Sequence, residues 1–270
     1  MIFSAQISRV TGLLQSARRP VFIWGAGLRG HEQQARYVAH SYGIPVACTW
    51  GAIDLLPSSD PLMAGGFGTH GTRAANFTVQ NADLIISLGS RLDTKATGHP
   101  PHFARGAKIV MVDIDGEEIA KFEHLGRQID VGIQCDVEEF LSALPPLSMM
   151  GASWWPALVQ RWRAKYDMPE VTWPGVNPYA LMKEIAQYTR EDDIICSDTG
   201  TALGYLMQGF PFKGERFIHA FNMTPMGYGL PAAIGASLAS ARRVVLITGD
   251  GSAMMSLSEL ATVSRWNLNI

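Results

Sequence analysis

The residues best placed to do chemistry are a lone acid between glycines and a methionine a short way before it. Val244-Val245-Leu246-Ile247-Thr248-Gly249-Asp250-Gly251-Ser252 reads as a buried strand running into a glycine turn. Thr224-Pro225-Met226-Gly227-Tyr228-Gly229-Leu230-Pro231 lies upstream, at a second strand-to-helix junction. In open α/β sheets ligands collect at the carboxyl ends of the strands. A hard cation such as Mg2+ takes carboxylate oxygen, and it commonly reaches a protein through one or two carboxylates plus a ligand's phosphates. Glycines on both sides of Asp250 let the backbone approach a phosphate with no Cβ in the way. Taken alone, Gly-Asp-Gly reads as a turn with a solvated acid; the nearby Met-Gly-Tyr-Gly run is what makes it a candidate site. Ser256-x-x-Glu259 has the form of a capping box, which predicts that the following helix starts there and runs through Leu257, Leu260, Ala261 and Val263.

These residues need a scaffold, and strands alternating with helices supply one. Residues 4–18 predict an amphipathic helix, and Pro20 to Trp24 a buried strand running into Gly25-Ala26-Gly27-Leu28-Arg29-Gly30, a G-x-G-x-x-G loop. His31 to Ser41 predicts the next helix and Ile44 to Thr49 the next strand. Gly65 to His70 reads as a glycine-rich loop and Thr72 to Val79 as a helix. Further strands are predicted at Asp83 to Leu88, Lys108 to Val112 and Ile129 to Ile133. Pro145-Pro146 closes this block. Trp155, Leu158, Val159 and Trp162 fall at helical spacing, predicting a connector helix packed between domains. Asn177-Pro178 is an N-cap with proline at the first helical position. Strands follow at Asp193 to Cys196 and Arg216 to His219, with a small-residue helix from Gly229 to Ala241. The fold class is therefore α/β, with two doubly wound parallel-sheet domains: 1–147, a connector at 148–174, and 175–270.

Composition narrows the function. The 270 residues are 47% hydrophobic and 17% charged, with a formal net charge of −2. No basic stripe marks a nucleic-acid surface, and Arg18-Arg19 and Arg242-Arg243 read as charges at strand starts. No run is long enough to cross a bilayer, so no membrane partner is expected. Three scattered cysteines, Cys48, Cys135 and Cys196, predict buried thiols and a cytoplasmic setting. A Rossmann dinucleotide site would want an acid at the end of the second strand; Thr49-Trp50-Gly51 stands there, and Asp54 comes late, which disfavours an NAD oxidoreductase.

The Gly-Asp-Gly and Met-Gly-Tyr-Gly pieces resemble the diphosphate-binding domain of thiamine diphosphate enzymes of the acetolactate synthase type. The resemblance implies that Asp250 binds the Mg2+ holding the diphosphate, that Met226 props the cofactor in a bent conformation, and that Gly249, Gly251 and Ser252 give close contacts. Ser197-Asp198-Thr199-Gly200-Thr201 resembles the loop that approaches the diphosphate, with Thr199, Gly200, Thr201 and also Thr224 as contacts; Asp198 is expected to cap the helix beginning near Ala202. Residues 20–140 resemble the family's central domain, which carries FAD in some members and no cofactor in others. The matching positions are Gly25, Ala26, Gly27, His70, Gly71, Arg91, Asp93, Asp113, Ile114 and Asp136. Trp50, where leucine is common, is bulky enough to fill a flavin groove. Apart from the resemblance, Arg91 reads as an ion-pair partner of Asp93 or Asp113, and His70 as a loop histidine bonded to backbone.

The activity implied is decarboxylation or carboligation of a small-molecule 2-oxo acid, in a homodimer, a tetramer or an assembly with a second chain. The family's catalytic glutamate lies in a separate N-terminal domain, and its Asn-Asn metal motif would follow Ile270. The second domain is accordingly expected to be incomplete at its C-terminus, and the chain to be inactive alone and a weak binder of cofactor. Two other readings stay open: a non-catalytic flavin- or nucleotide-binding module, and the NAD oxidoreductase.

Overall fold

The computed structural model describes residues 2–146, 154–167 and 172–270. It divides into two compact units, 1–55 with 60–167 and 56–59 with 168–270.

The first unit is built on strands β1 (Pro20–Trp24), β2 (Val46–Cys48), β3 (Met63–Gly66), β4 (Leu84–Leu88), β5 (Lys108–Asp113) and β6 (Val131–Gln134). Their order is β3-β2-β1-β4-β5-β6, and every pairing is parallel. Helices α1 (Ile2–Ser16), α2 (Glu32–Tyr42), α3 (Arg73–Gln80), α4 (Thr94–Thr97), α5 (Gly116–Ala120), α6 (Val137–Ala143) and α7 (Trp154–Lys165) accompany the sheet. β1 and β4 are buried at every residue, as continuous aliphatic runs require when both faces of a sheet are covered. Between β1 and β4 the strand order changes direction, so the loops after Trp24 and Leu88 open the crevice at this sheet's switch point.

β3 departs from the expected loop at residues 65–70. Met63-Ala64-Gly65-Gly66 has too little side chain to announce a strand, yet it pairs with β2 across a register shift between Val46 and Ala47. The predicted connector helix forms as α7, and its apolar face belongs to the first unit. Trp155 and Val159 are fully buried in that unit's core, with Leu158 and Trp162 packed against them. The Trp155 indole N–H donates to the Pro20 carbonyl at 3.0 Å. The rest of the 148–174 connector lies partly outside the described residues.

The second unit has three parallel strands, β7 (Ile194–Ser197), β8 (Arg216–Ile218) and β9 (Val244–Ile247), in the order β8-β7-β9. Helices α8 (Pro178–Tyr188), α9 (Thr201–Gly209), α10 (Gly229–Ala239), α11 (Asp250–Met255) and α12 (Leu260–Arg265) alternate with them. Asn177 caps α8 as its sequence predicts, accepting from the N–H groups of Tyr179 and Ala180. Ala233 and Ala236 of α10 bring that helix down on Ile194, Cys196 and Val244. Among the described residues no helix is long and apolar enough to cross a membrane.

Of the paired arginines, Arg18 and Arg19 meet an acid through their backbone and Arg243 through its charge. The N–H groups of Arg18 and Arg19 donate to the Asp83 carboxylate. Arg243, just before β9, meets the buried Asp193, just before β7, with Nε to Oδ1 at 3.0 Å and a second contact to Oδ2. Burial works against the charged form of Asp193, but the Arg243 hydrogen bonds, the Arg190 N–H and the charges of both arginines outweigh it, and the carboxyl is held below its usual range. A depressed carboxyl stabilises the fold above its unfolded pKa, about 3.9, and that contribution is lost as pH falls through the folded value. We expect Asp193→Asn to lower stability by about 1–3 kcal/mol at neutral pH, and to flatten the loss of thermal stability that the parent shows below pH about 4. Melting curves of both proteins between pH 7 and pH 2.5 check this; parallel curves would remove Asp193 as the source.

Two thiols are buried as expected. Burial, with the Asp54 charge adding, pushes the Cys48 thiol far above its usual value, and burial raises Cys196 to about 12 against the opposing charge of Arg216. Cys135 differs: it is only half-buried, although burial still leads in raising it to about 11.

Candidate functional site

β7 and β9 are neighbours, with Ser197 opposite Ile247, and the Asp198 N–H extends the pairing to the Ile247 carbonyl at 3.1 Å. The loops beyond them, Asp198–Thr201 and Thr248–Ser252, therefore leave the sheet side by side. The Gly-Asp-Gly acid is not in a turn ahead of a distant helix. Gly249 is an N-cap with extended backbone, and Asp250 is the first residue of α11. A carboxylate is favoured at that position because the first-turn N–H groups are unpaired and positive. The Gly251 N–H donates to Asp250 Oδ1 at 2.8 Å. Asp250 is exposed, and among the described residues it has no cation partner, so its second oxygen is open.

The predicted capping box is overturned. With the helix already under way at Asp250, Ser256 marks the break between α11 and a 3-10 turn, Leu257–Glu259. Its buried hydroxyl makes no hydrogen bond among the described residues, and the Glu259 carboxylate accepts from the Thr262 hydroxyl instead.

Met226 reaches the same place. A Cβ on Gly251 would sit 3.2 Å from the Met226 terminal methyl, so that methyl lies over the glycine next to Asp250, and a side chain there would have to push it back by a few tenths of an ångström. The Met226 side chain is itself half exposed. The turn that presents it carries Thr224 at φ 46° and Gly227 at φ 84°. Left-handed backbone is uncommon for a threonine and persists only where the surroundings hold it. Part of that hold is the Thr224 N–H, which donates to the Ala220 carbonyl at 2.9 Å, while Gly227 leaves room for the Met255 Cβ, which would lie 3.0 Å from a Cβ there. Ser252 is buried in α11, while Thr199, Gly200 and Thr201, beyond the carboxyl end of β7, are partly or fully exposed.

Asp198 does not cap α9. The cap there is Gly200, with no side-chain bond, and Asp198 turns the other way. Its carboxylate accepts from the N–H groups of Thr199 (2.8 Å), Gly227 (3.2 Å) and Gly229 (2.7 Å). The sequence carries no local sign of the two glycine contacts, because Gly227 and Gly229 lie 29 and 31 residues downstream.

Two family profiles match the chain: "Thiamine pyrophosphate enzyme, central domain" over residues 7–144, and "Thiamine pyrophosphate enzyme, C-terminal TPP binding domain" over residues 198–270. The chain belongs to the thiamine pyrophosphate enzymes. It is 35% identical over 268 residues to the acetolactate synthase isozyme 1 large subunit of Escherichia coli, covering 98% of this chain and 47% of that protein. It is 33% identical over 272 residues to the acetolactate synthase large subunit of Lactococcus lactis, with the same two coverages. Against the chloroplastic acetolactate synthase 1 of Oryza sativa it is 32% identical over 274 residues, 98% of this chain and 42% of that one. The chain thus spans about half the length of the curated relatives it matches.

In this thiamine pyrophosphate enzyme the groups at the carboxyl ends of β7 and β9 have the chemistry that a diphosphate held by a cation asks for. A carboxylate with an open oxygen suits a hard cation, the glycines beside it leave backbone accessible, and an apolar thioether stands where an organic ring could rest.

The first unit fits a flavin nucleotide poorly. The Gly25 N–H is taken by the Leu88 carbonyl and the Gly27 N–H by that of Gly89, each at 2.9 Å. A Cβ on Gly25 would lie 2.2 Å from the Gly89 oxygen, so this glycine serves contact between the two loops rather than an open cradle. Trp50 is buried, donates from its indole N–H to the Thr69 carbonyl at 2.6 Å, and stacks on His70 with Lys95 over its ring. His70 is therefore held by stacking, where a backbone hydrogen bond was expected. A ring laid on these loops would have to displace that stack.

The remaining central-domain positions also have internal roles. Gly71 packs against Phe67. Asp93 caps α4 and stands 3.9 Å from Arg91. Asp136 caps α6, and Ile114 is exposed. Asp113 accepts from the Asp115 N–H; burial leads in pushing its carboxyl up, with the Glu118 and Asp115 charges adding. Asp54, the late acid, pairs bidentately with Arg29 of the glycine loop.

Proposed function

We propose that this chain binds thiamine diphosphate through Mg2+ in its second unit and serves decarboxylation or carboligation of a 2-oxo acid, as in acetolactate synthase. The observation that carries the reading is the meeting of the Met226 methyl with Gly251, beside an exposed and unpaired Asp250. When bound, the cofactor supplies an electron sink for making and breaking carbon–carbon bonds next to a carbonyl. The chain's own residues do the rest. Asp250 holds the cation, Gly249 and Gly251 let backbone close on the diphosphate, and Met226 offers an apolar prop for the rings. No step is assigned to a flavin.

The reading includes a partner polypeptide, a second copy of this chain or a different one. Its support is the exposure of Met223, Met254, Met255 and Trp266, each more than 60% accessible, around the turn and the last two helices. The test of the cofactor reading is calorimetric titration of the 270-residue chain with thiamine diphosphate, with Mg2+ and with chelator. Weak binding that requires Mg2+ is expected; binding indifferent to the cation, or none at millimolar cofactor, would overturn it.

A further inference from the structure

Asp198 is almost fully buried, and it neither caps its own helix nor meets a basic side chain among the described residues. Its carboxylate instead gathers three backbone N–H groups, one from the neighbouring Thr199 and two from the distant Gly227–Gly229 segment. Oδ1 takes Thr199 and Gly227, and Oδ2 takes Gly229. Charge-assisted hydrogen bonds to backbone N–H groups are about twice as strong as neutral ones. Gly227 and Gly229 bracket the turn on the side that follows Met226. Gly229 admits the carboxylate because it has no side chain: a Cβ there would lie 3.0 Å from both Asp198 Cβ and Oδ2. The other end of the linkage is equally fixed, since the Asp198 N–H is bonded to Ile247, three residues before Asp250.

We propose that Asp198 is a positioning residue for the organic half of the cofactor: it clamps the Thr224–Gly229 turn so that Met226 is held over Gly251, at a set distance from the cation-binding end. The inference rests on the cofactor reading above. Asp198 touches neither ring nor phosphate. It acts through Met226, by holding a turn whose Thr224 conformation is costly without an anchor. An asparagine in its place offers one acceptor and one N–H2, which then faces a backbone N–H.

A double-mutant cycle separates this from a role in stability alone. The Mg2+-dependent dissociation constant for thiamine diphosphate is measured by calorimetry for the parent, Asp198→Asn, Met226→Ala and the double variant, each first shown to be folded by circular dichroism and thermal melting. Asp198→Asn is expected to weaken binding roughly tenfold or more in the parent background, about 1.4 kcal/mol, and less than about twofold once Met226 has been truncated, because the turn then has nothing left to place. An equal loss in both backgrounds, or no loss in the parent, would overturn the inference. Where Asp198→Asn does not fold, Gly229→Ala makes the same cycle, since its methyl pushes the carboxylate off the turn while keeping the charge. A parent that binds no thiamine diphosphate defeats the cofactor reading itself, and the inference with it.

Discussion

Asp250→Asn should weaken Mg2+-dependent thiamine diphosphate binding on the order of 100-fold while leaving the melting temperature nearly unchanged. The two halves of this expectation have separate causes. The carboxylate is exposed, and its recorded bond is the short-range one from the Gly251 N–H, which an asparagine oxygen can still accept. Little folding energy is therefore at stake. The negative charge, in contrast, is what a hard divalent cation selects, and an amide oxygen is a much poorer ligand for a metal already carrying diphosphate. Titrations of both proteins at several Mg2+ concentrations distinguish the outcomes. A variant that regains full binding at high Mg2+ has lost cation affinity alone; one that binds as tightly as the parent at low Mg2+ removes Asp250 as the ligand.

Trp155→Ala should have the largest effect on stability, about 3–5 kcal/mol. The side chain is buried in the first unit's core and edges against Trp162 with ring centroids 5.7 Å apart. Truncation opens a cavity lined by Trp162 and neighbouring core residues, and it also orphans the Pro20 carbonyl where β1 begins. A single domain with a margin of 5–15 kcal/mol is left close to unfolding by such a loss. Urea denaturation of the parent and variant, followed by tryptophan fluorescence and circular dichroism together, measures it. A shift below about 1 kcal/mol would mean that α7 contributes little to the core.

What the sequence made legible follows from where each interaction is local. The aliphatic runs at Pro20–Trp24 and Leu84–Leu88 announced central strands, because residues buried on both faces need no alternation. Asn177-Pro178 announced a helix start through a contact spanning three residues. Met226 and Asp250 could be paired only through the family resemblance, and their meeting at Gly251 is a fact of tertiary packing. Three features escape a local reading, two of them because their partners are distant in sequence. β3 was missed because its strand character comes from β2 rather than from Met63-Ala64-Gly65-Gly66. The capping box at Ser256 was overruled by a helix that had already begun. Asp198 was assigned to the nearest helix because its true partners lie in another loop.

The sheet of the second unit is locked and open at opposite ends. Asp193 and Arg243 tie the amino ends of β7 and β9, while the carboxyl ends of the same two strands run into the candidate crevice. Loop residues after Ser197 and Ile247 can therefore be exchanged along one rim without loosening the rivet that keeps the strands aligned. Tolerance to heat and the make-up of the candidate site become separate dials.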